Sequence, residues 1–180
     1  MKRVTLHDKE FELSIPYAKI IKAIDEVALQ ITEDLKNETN PLFLSVLNGS
    51  FMFTSELIKL IPFNCELSFI KLASYDGTGS TGCVTELIGL DTIIEGRTVV
   101  VVEDIVDSGN TLERLVEVLQ KKRPKQLKIA TLLYKPDMYS KDIKIDYIGK
   151  SVPNDFIIGF GLDYNKLGRN YPDIYSLVKK

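Results

Sequence analysis

The most informative stretch of the chain is Thr98-Val99-Val100-Val101-Val102-Glu103-Asp104-Ile105-Val106-Asp107-Ser108-Gly109-Asn110-Thr111-Leu112. Four consecutive valines read as a strand buried on both faces, which is the pattern of a parallel sheet. The strand runs into acids, then into a loop of small residues, then into a helix marked by Leu112, Leu115, Val116 and Leu119 and stopped by Pro124. Asn110 is expected to cap that helix, with Glu113 completing a capping box. Ser108, Gly109, Asn110 and Thr111 combine backbone amides, hydroxyls and a helix N-terminus, a phosphate cradle. Gly109 lets the backbone approach an anion without a side chain in the way. Glu103, Asp104 and Asp107 would repel a bare anion. They suit a ligand that also carries hydroxyls, or a metal ion beside it. Strand-end acids solvated by water are the plainer alternative.

Outward from this stretch, the pattern alternates strands and helices. Apolar residues at 20, 21, 24, 27, 28, 31 and 35 predict an amphipathic helix over Ile20 to Leu35. Pro41 to Leu47 reads as a buried strand, followed by a helix with Ser50 as its cap. Glu66 to Tyr75, Cys83 to Leu90 and Leu127 to Tyr134 read as further strands. Strands alternating with helices predict an α/β fold, a central and mostly parallel twisted sheet flanked by helices. Ligands in such folds bind beyond the carboxyl ends of the strands.

The bulk properties narrow the function. The chain has 180 residues with a net charge of -2, enough for one sizeable core and no general affinity for nucleic acid. The N-terminus lacks an apolar signal core, and no run is long enough to span a membrane. Cys65 and Cys83 have no zinc or disulfide spacing and are expected as buried thiols in a reducing cytoplasm. The one histidine, His7, excludes serine triads with an internal histidine and histidine-rich metal sites. Gly77-Thr78-Gly79-Ser80-Thr81-Gly82 matches a dinucleotide fingerprint, but a strand pattern follows where a helix is required. A kinase reading lacks its histidine-containing catalytic loop.

Residues 99–112 resemble the phosphoribosyl-pyrophosphate signature of type I phosphoribosyltransferases. Leu47-Asn48-Gly49-Ser50 resembles the pyrophosphate loop of that family. Ser74-Tyr75 with Ser80-Thr81-Gly82 resembles the mobile loop of its hypoxanthine-guanine branch, and Lys135 with Pro153 to Tyr164 resembles that branch's purine pocket. The resemblance covers about residues 42 to 170 in order. It implies the family fold over residues 1–180 as one domain, with a small hood built from the N-terminal segment and about 136–180. It implies purine salvage: transfer of a 5-phosphoribosyl group from 5-phosphoribosyl 1-pyrophosphate to N9 of a 6-oxopurine, with Mg2+. A cytoplasmic homodimer or homotetramer is expected, with small-molecule substrates and no nucleic acid or membrane partner. The other reading is a regulatory nucleotide sensor of the same fold that binds RNA or DNA; the acidic charge and the absence of an added module weigh against it.

Residue by residue, the resemblance implies that Asp107, Ser108, Gly109, Asn110 and Thr111 hold the 5′-phosphate. Glu103 and Asp104 would serve the ribose hydroxyls and the metal. Asp107 would act as general acid–base at N7 of the purine. Leu47, Asn48, Gly49 and Arg169 would hold pyrophosphate. Lys135 would donate to O6, Phe156 would stack on the base, Ile157 would read its edge through the backbone, and Asp163 would bind a second metal ion beside the purine. By residue type alone, Asp107 and Asp163 are also turn residues, Lys135 and Arg169 surface charges, and Phe156 a core residue. Asn48 departs from the family, many members of which carry a basic residue there. The family's non-proline cis peptide is expected between Asn48 and Gly49.

Overall fold

The computed structural model describes residues 2–75 and 84–179. In chain order the elements are β1 (Arg3–Leu6), β2 (Lys9–Ile15), α1 (Tyr17–Leu35), β3 (Leu42–Val46), α2 (Phe51–Ile58), β4 (Glu66–Tyr75) and β5 (Val84–Ile88). There follow β6 (Thr98–Val106), α3 (Asn110–Gln120), β7 (Gln126–Tyr134), β8 (Tyr147–Ser151), β9 (Ile157–Ile158) and β10 (Ile174–Leu177). No helix among the described residues is long and apolar enough to cross a membrane.

The main sheet has the order β5-β4-β3-β6-β7-β8. Strands β4, β3, β6, β7 and β8 are parallel, and β5 adds an antiparallel edge. The valine run explains itself here. Val100 and Val102 pack toward α1 and α2, together with Phe43, Ile24 and Phe53. Val99 and Val101 pack on the other face against Leu112, Leu115 and Leu119 of α3. All four valines are fully buried, so a strand with no polar face is what the position requires.

A second, antiparallel sheet has the order β1-β2-β10-β9. It joins the start of the chain to its end around Phe11, Ile158 and Tyr175. β9 and β10 supply its C-terminal strands, while β8 pairs with β7 in the main sheet.

Several local expectations shift. The strand β6 does not stop at Val102: Glu103, Ile105 and Val106 still pair with Thr131, Leu133 and Tyr134. Backbone pairing is indifferent to the acidic side chains, so the acids belong to the strand end rather than to the loop. Ser50 begins α2, but its hydroxyl donates to the carbonyl of Val46 at 2.5 Å and caps no helix amide. The buried hydroxyls of Ser45, Ser50 and Thr54 form a chain with 2.7 Å spacings that ties β3 to α2. Cys65 is half-buried at the entry to β4 rather than buried, and burial pushes its thiol up. Cys83 lies outside the described residues.

Candidate active site

The parallel register sets Ser45 opposite Val102. Continued by a few residues, it brings the loop 47–49 alongside Glu103 and Asp104 at the carboxyl end of the sheet. Leu47 still donates to the carbonyl of Ile70 at 2.8 Å. The chain leaves the sheet only after it, and the cis peptide lies between Leu47 and Asn48, one bond earlier than the expected Asn48–Gly49. Gly49 has no room for a side chain, since a Cβ there would overlap the carboxylate of Asp104. Gly161, with φ +98, presses against the carbonyl of Gly49 in the same way. Two glycines thus let three backbone segments meet around one carboxylate.

The meeting point opens into a cavity of about 390 Å³. One wall is Leu47, Asn48 and Gly49; another is Glu103 and Asp104. Asp107, Ser108, Gly109, Asn110 and Thr111 form the third, and Asp163 and Arg169 close the fourth. These residues are brought together from parts of the chain far apart in sequence.

The cap of α3 differs from the expected capping box. Gly109 is the N-cap, with φ 84 and ψ 0, and Asn110 is the first helical residue. Glu113 turns away to Lys141, Nζ to Oε2 2.7 Å, so it cannot reach back to the cap. Ser108 Oγ accepts a long 3.5 Å bond from the amide of Asn110. First-turn amides lack acceptors within their helix. Here that first turn lines the cavity, which favours a bound anion.

The acids differ in their surroundings. Glu103 is buried, and desolvation, reinforced by Asp104, holds its carboxyl well above the usual range. Burial likewise pushes Asp104 up to about 6, although it accepts a 3.0 Å bond from the amide of Ile105 and Arg169 attracts it. Neither carboxylate has a salt-bridge partner among the described residues. Asp107 instead pairs with Lys135 at 2.7 Å, and Lys135 also reaches Asn154 at 3.4 Å. Asp163 pairs with Arg169 at 2.6 Å and accepts from the amide of Lys166 at 2.7 Å. Arg169 also donates to the carbonyl of Gly161 at 2.6 Å.

Among the described residues, no three metal-ligating side chains gather into a preformed cluster. Buried Glu103 and half-buried Asp104, neither with a salt-bridge partner among the described residues, nevertheless suit a magnesium ion that takes most of its oxygens from water and substrate.

Other expected site residues lie apart from the cavity. Lys135 is buried behind Asp107. Phe156 is 44% exposed and packs against Phe11 and Tyr164, with Lys9 5.5 Å above its ring. Ile157 is buried in β9. Ser74 and Tyr75 end β4, paired to Thr85 and Val84 of β5. Ser80, Thr81 and Gly82 lie outside the described residues. Asn154 and Gly161 lie within the stretch Pro153 to Tyr164 that resembles a purine pocket, with no separate role expected of either.

A phosphoribosyl transferase domain model matches residues 16–165, which holds the phosphate loop, the acids and Lys135 alike. The chain belongs to the phosphoribosyltransferase family. The hypoxanthine-guanine phosphoribosyltransferase of Bacillus subtilis (strain 168) is 41% identical over 169 residues, 93% of each chain. The hypoxanthine phosphoribosyltransferase of Escherichia coli (strain K12) is 39% identical, covering 93% of this chain and 95% of that one. A crystal structure of a hypoxanthine-guanine phosphoribosyltransferase from Bacillus anthracis superposes with a TM-score of 0.84 at 36% identity, over 93% and 98% of the two chains. The mixed sheet with its covering helices is thus the type I phosphoribosyltransferase fold.

The phosphoribosyltransferase's raised carboxyls make a signed prediction. Between the ordinary value of 3.8 and about 6, folded Asp104 holds more proton than unfolded Asp104. Its contribution to stability therefore falls as pH rises through that window. In ligand-free, magnesium-free buffer, Asp104→Asn is expected to match the parent near pH 4 and to exceed it by about 1–3 kcal/mol at pH 7. Urea unfolding at both pH values measures this, and a constant difference across the window would contradict it.

Proposed function

We propose that the chain transfers the 5-phosphoribosyl group of 5-phosphoribosyl 1-pyrophosphate to N9 of hypoxanthine, and of guanine, giving IMP or GMP and pyrophosphate. The observation that carries this reading is the single cavity in which an open helix N-terminus, two unpaired carboxylates and an arginine face one another. A ligand with a terminal phosphate, a hydroxyl-bearing ring and a second polyanionic end fits that distribution. The resemblance to 6-oxopurine enzymes supports the choice of base.

In this reading Ser108, Gly109, Asn110 and Thr111 take the 5′-phosphate on amides and hydroxyls. Glu103 and Asp104 accept hydrogen bonds from the ribose hydroxyls. Leu47, Asn48 and Gly49 offer backbone groups to pyrophosphate, and Arg169 adds a guanidinium once it exchanges Asp163 for the substrate. Glu103, Asp104 and Asp163 are the residues that would hold Mg2+, which when bound offsets the charge of the departing pyrophosphate. Phe156 offers its exposed ring to a base face, and the backbone of Ile157 its edge contacts.

The ion pair between Asp107 and Lys135 joins the two groups assigned to the purine. The ammonium can only donate, so it favours a 6-oxo oxygen over a 6-amino group. As Lys135 turns to O6, the carboxylate of Asp107 is released to manage the proton at N7. The carbon under attack would also react with water, so exclusion of solvent by closure over the cavity would favour transfer.

A second copy of the chain is the proposed partner. Leu67 and Phe69 are each 40% exposed, and Leu67 lies opposite Phe43 in the parallel ladder. They extend the apolar face covered by α1 and α2 beyond the helices, and a second copy would bury them.

The activity is tested by following IMP formation from hypoxanthine, 5-phosphoribosyl 1-pyrophosphate and magnesium; no turnover with any 6-oxopurine would refute it. Lys135→Ala is expected to raise KM for hypoxanthine about 10- to 100-fold and leave that for 5-phosphoribosyl 1-pyrophosphate nearly unchanged. Equal losses would remove Lys135 from the base site. Asp107→Asn is expected to lower kcat by about 10²–10⁴ with little effect on 5-phosphoribosyl 1-pyrophosphate binding; unchanged turnover would remove Asp107 from the chemistry. Phe69→Lys is expected to shift the sedimentation coefficient from oligomer toward monomer. A monomeric parent protein, or an oligomer untouched by the change, would defeat the proposed contact.

A further inference from the structure

The phosphate loop has a back as well as a front. Its front, residues 107–111, lines the cavity; behind Gly109 lies a segment that does not. That segment starts at Lys135, whose amide donates to the carbonyl of Val106 at 3.0 Å and so extends the β6–β7 ladder. The carbonyl of Lys135 then accepts from the amides of Met138 and Tyr139, each at 3.1 Å. This turn folds the chain back over the loop. A Cβ built on Gly109 would lie 2.5 Å from Cε2 of Tyr139 and 2.8 Å from Cγ of Lys141.

Both side chains are fixed. The Tyr139 hydroxyl donates to the carbonyl of Ile143 at 2.6 Å. Its ring stands edge-on to Tyr134 with centroids 5.5 Å apart. Lys141 runs its alkyl stem past Gly109 and places its ammonium 2.7 Å from Glu113 in the first turn of α3. That acid suits a bare helix N-terminus. It opposes a second anion at the same end, unless a cation neutralises it.

We propose that Tyr139 and Lys141 are positioning residues for the 5′-phosphate. Tyr139 holds Gly109 in the left-handed turn that leaves the first amides of α3 open, and Lys141 cancels the charge of Glu113 beside the bound anion. Neither touches the ligand; both act through the loop. The inference rests on residues 107–111 binding the phosphate, as proposed above.

The test compares the affinities of IMP and of inosine, which lacks the phosphate, by isothermal titration calorimetry. The parent protein is expected to prefer IMP. Tyr139→Ala and Lys141→Met are each expected to weaken IMP roughly 10-fold and leave inosine unchanged. Tyr139→Phe keeps the ring and should retain most of the preference. Glu113→Gln combined with Lys141→Met should recover IMP affinity, a rescue that a merely structural role would not produce. Folded variants with an unaltered IMP-to-inosine ratio, or with equal losses for both ligands, would overturn the proposal. Lys141→Met keeps the alkyl stem, so the comparison stands even if Tyr139→Ala does not fold. A parent protein without any preference for IMP would instead refute the phosphate assignment of the loop, and this inference with it.

Discussion

The partial withdrawal of Glu103 and Asp104 from water at the end of β6 conditions everything around them. Withdrawing a carboxylate from water disfavours its charged form, and both groups respond with raised proton affinity, Asp104 in spite of the bond it accepts from the Ile105 amide. The fold keeps them there because β6 lies between β3 and β7, with both faces of its valine run already used for packing. The strand cannot slide or rotate to return its acids to solvent without exposing the valines.

The other charges of the cavity are treated in the opposite way. Asp107 is held by Lys135, and Asp163 by Arg169, at 2.7 and 2.6 Å. In each pair one member carries a charge that the proposed substrate would otherwise meet. Under the proposed function, binding would exchange the partners of these pairs rather than create charge. Such exchange costs less than stripping an unpaired ion of water. Lys135 also begins the segment that backs Gly109.

Much of the fold was legible because burial leaves a mark on residue type. The span Glu66–Tyr75 is found as expected, and the spacing of Leu112, Leu115, Val116 and Leu119 marks the face of α3 that is buried. Strand ends were less legible: the clear valine run stops at Val102, yet Glu103, Ile105 and Val106 continue the ladder, because the hydrogen bonds belong to the backbone. The cap of α3 differs from the expectation for a related reason. Asn110 has the right chemistry, but Gly109 alone adopts the positive φ that the turn demands. The site residues near the strand ends could be found as a motif, while Tyr139 and Lys141 could not, since the parts of the chain they touch, Gly109 and Glu113, are far away in sequence.

By itself the sequence determined the class of fold and the chemistry on offer: a buried parallel strand, acids at its end, and a small-residue loop opening a helix. These follow from local composition, where burial and turn geometry restrict the residues allowed. Tertiary structure alone decided which acids stay unpaired and which are neutralised, where the cis peptide falls, and what stands behind Gly109. Those outcomes depend on distances between segments far apart in the chain. Such distances are set by strand register and close glycine contacts rather than by the identity of any one residue.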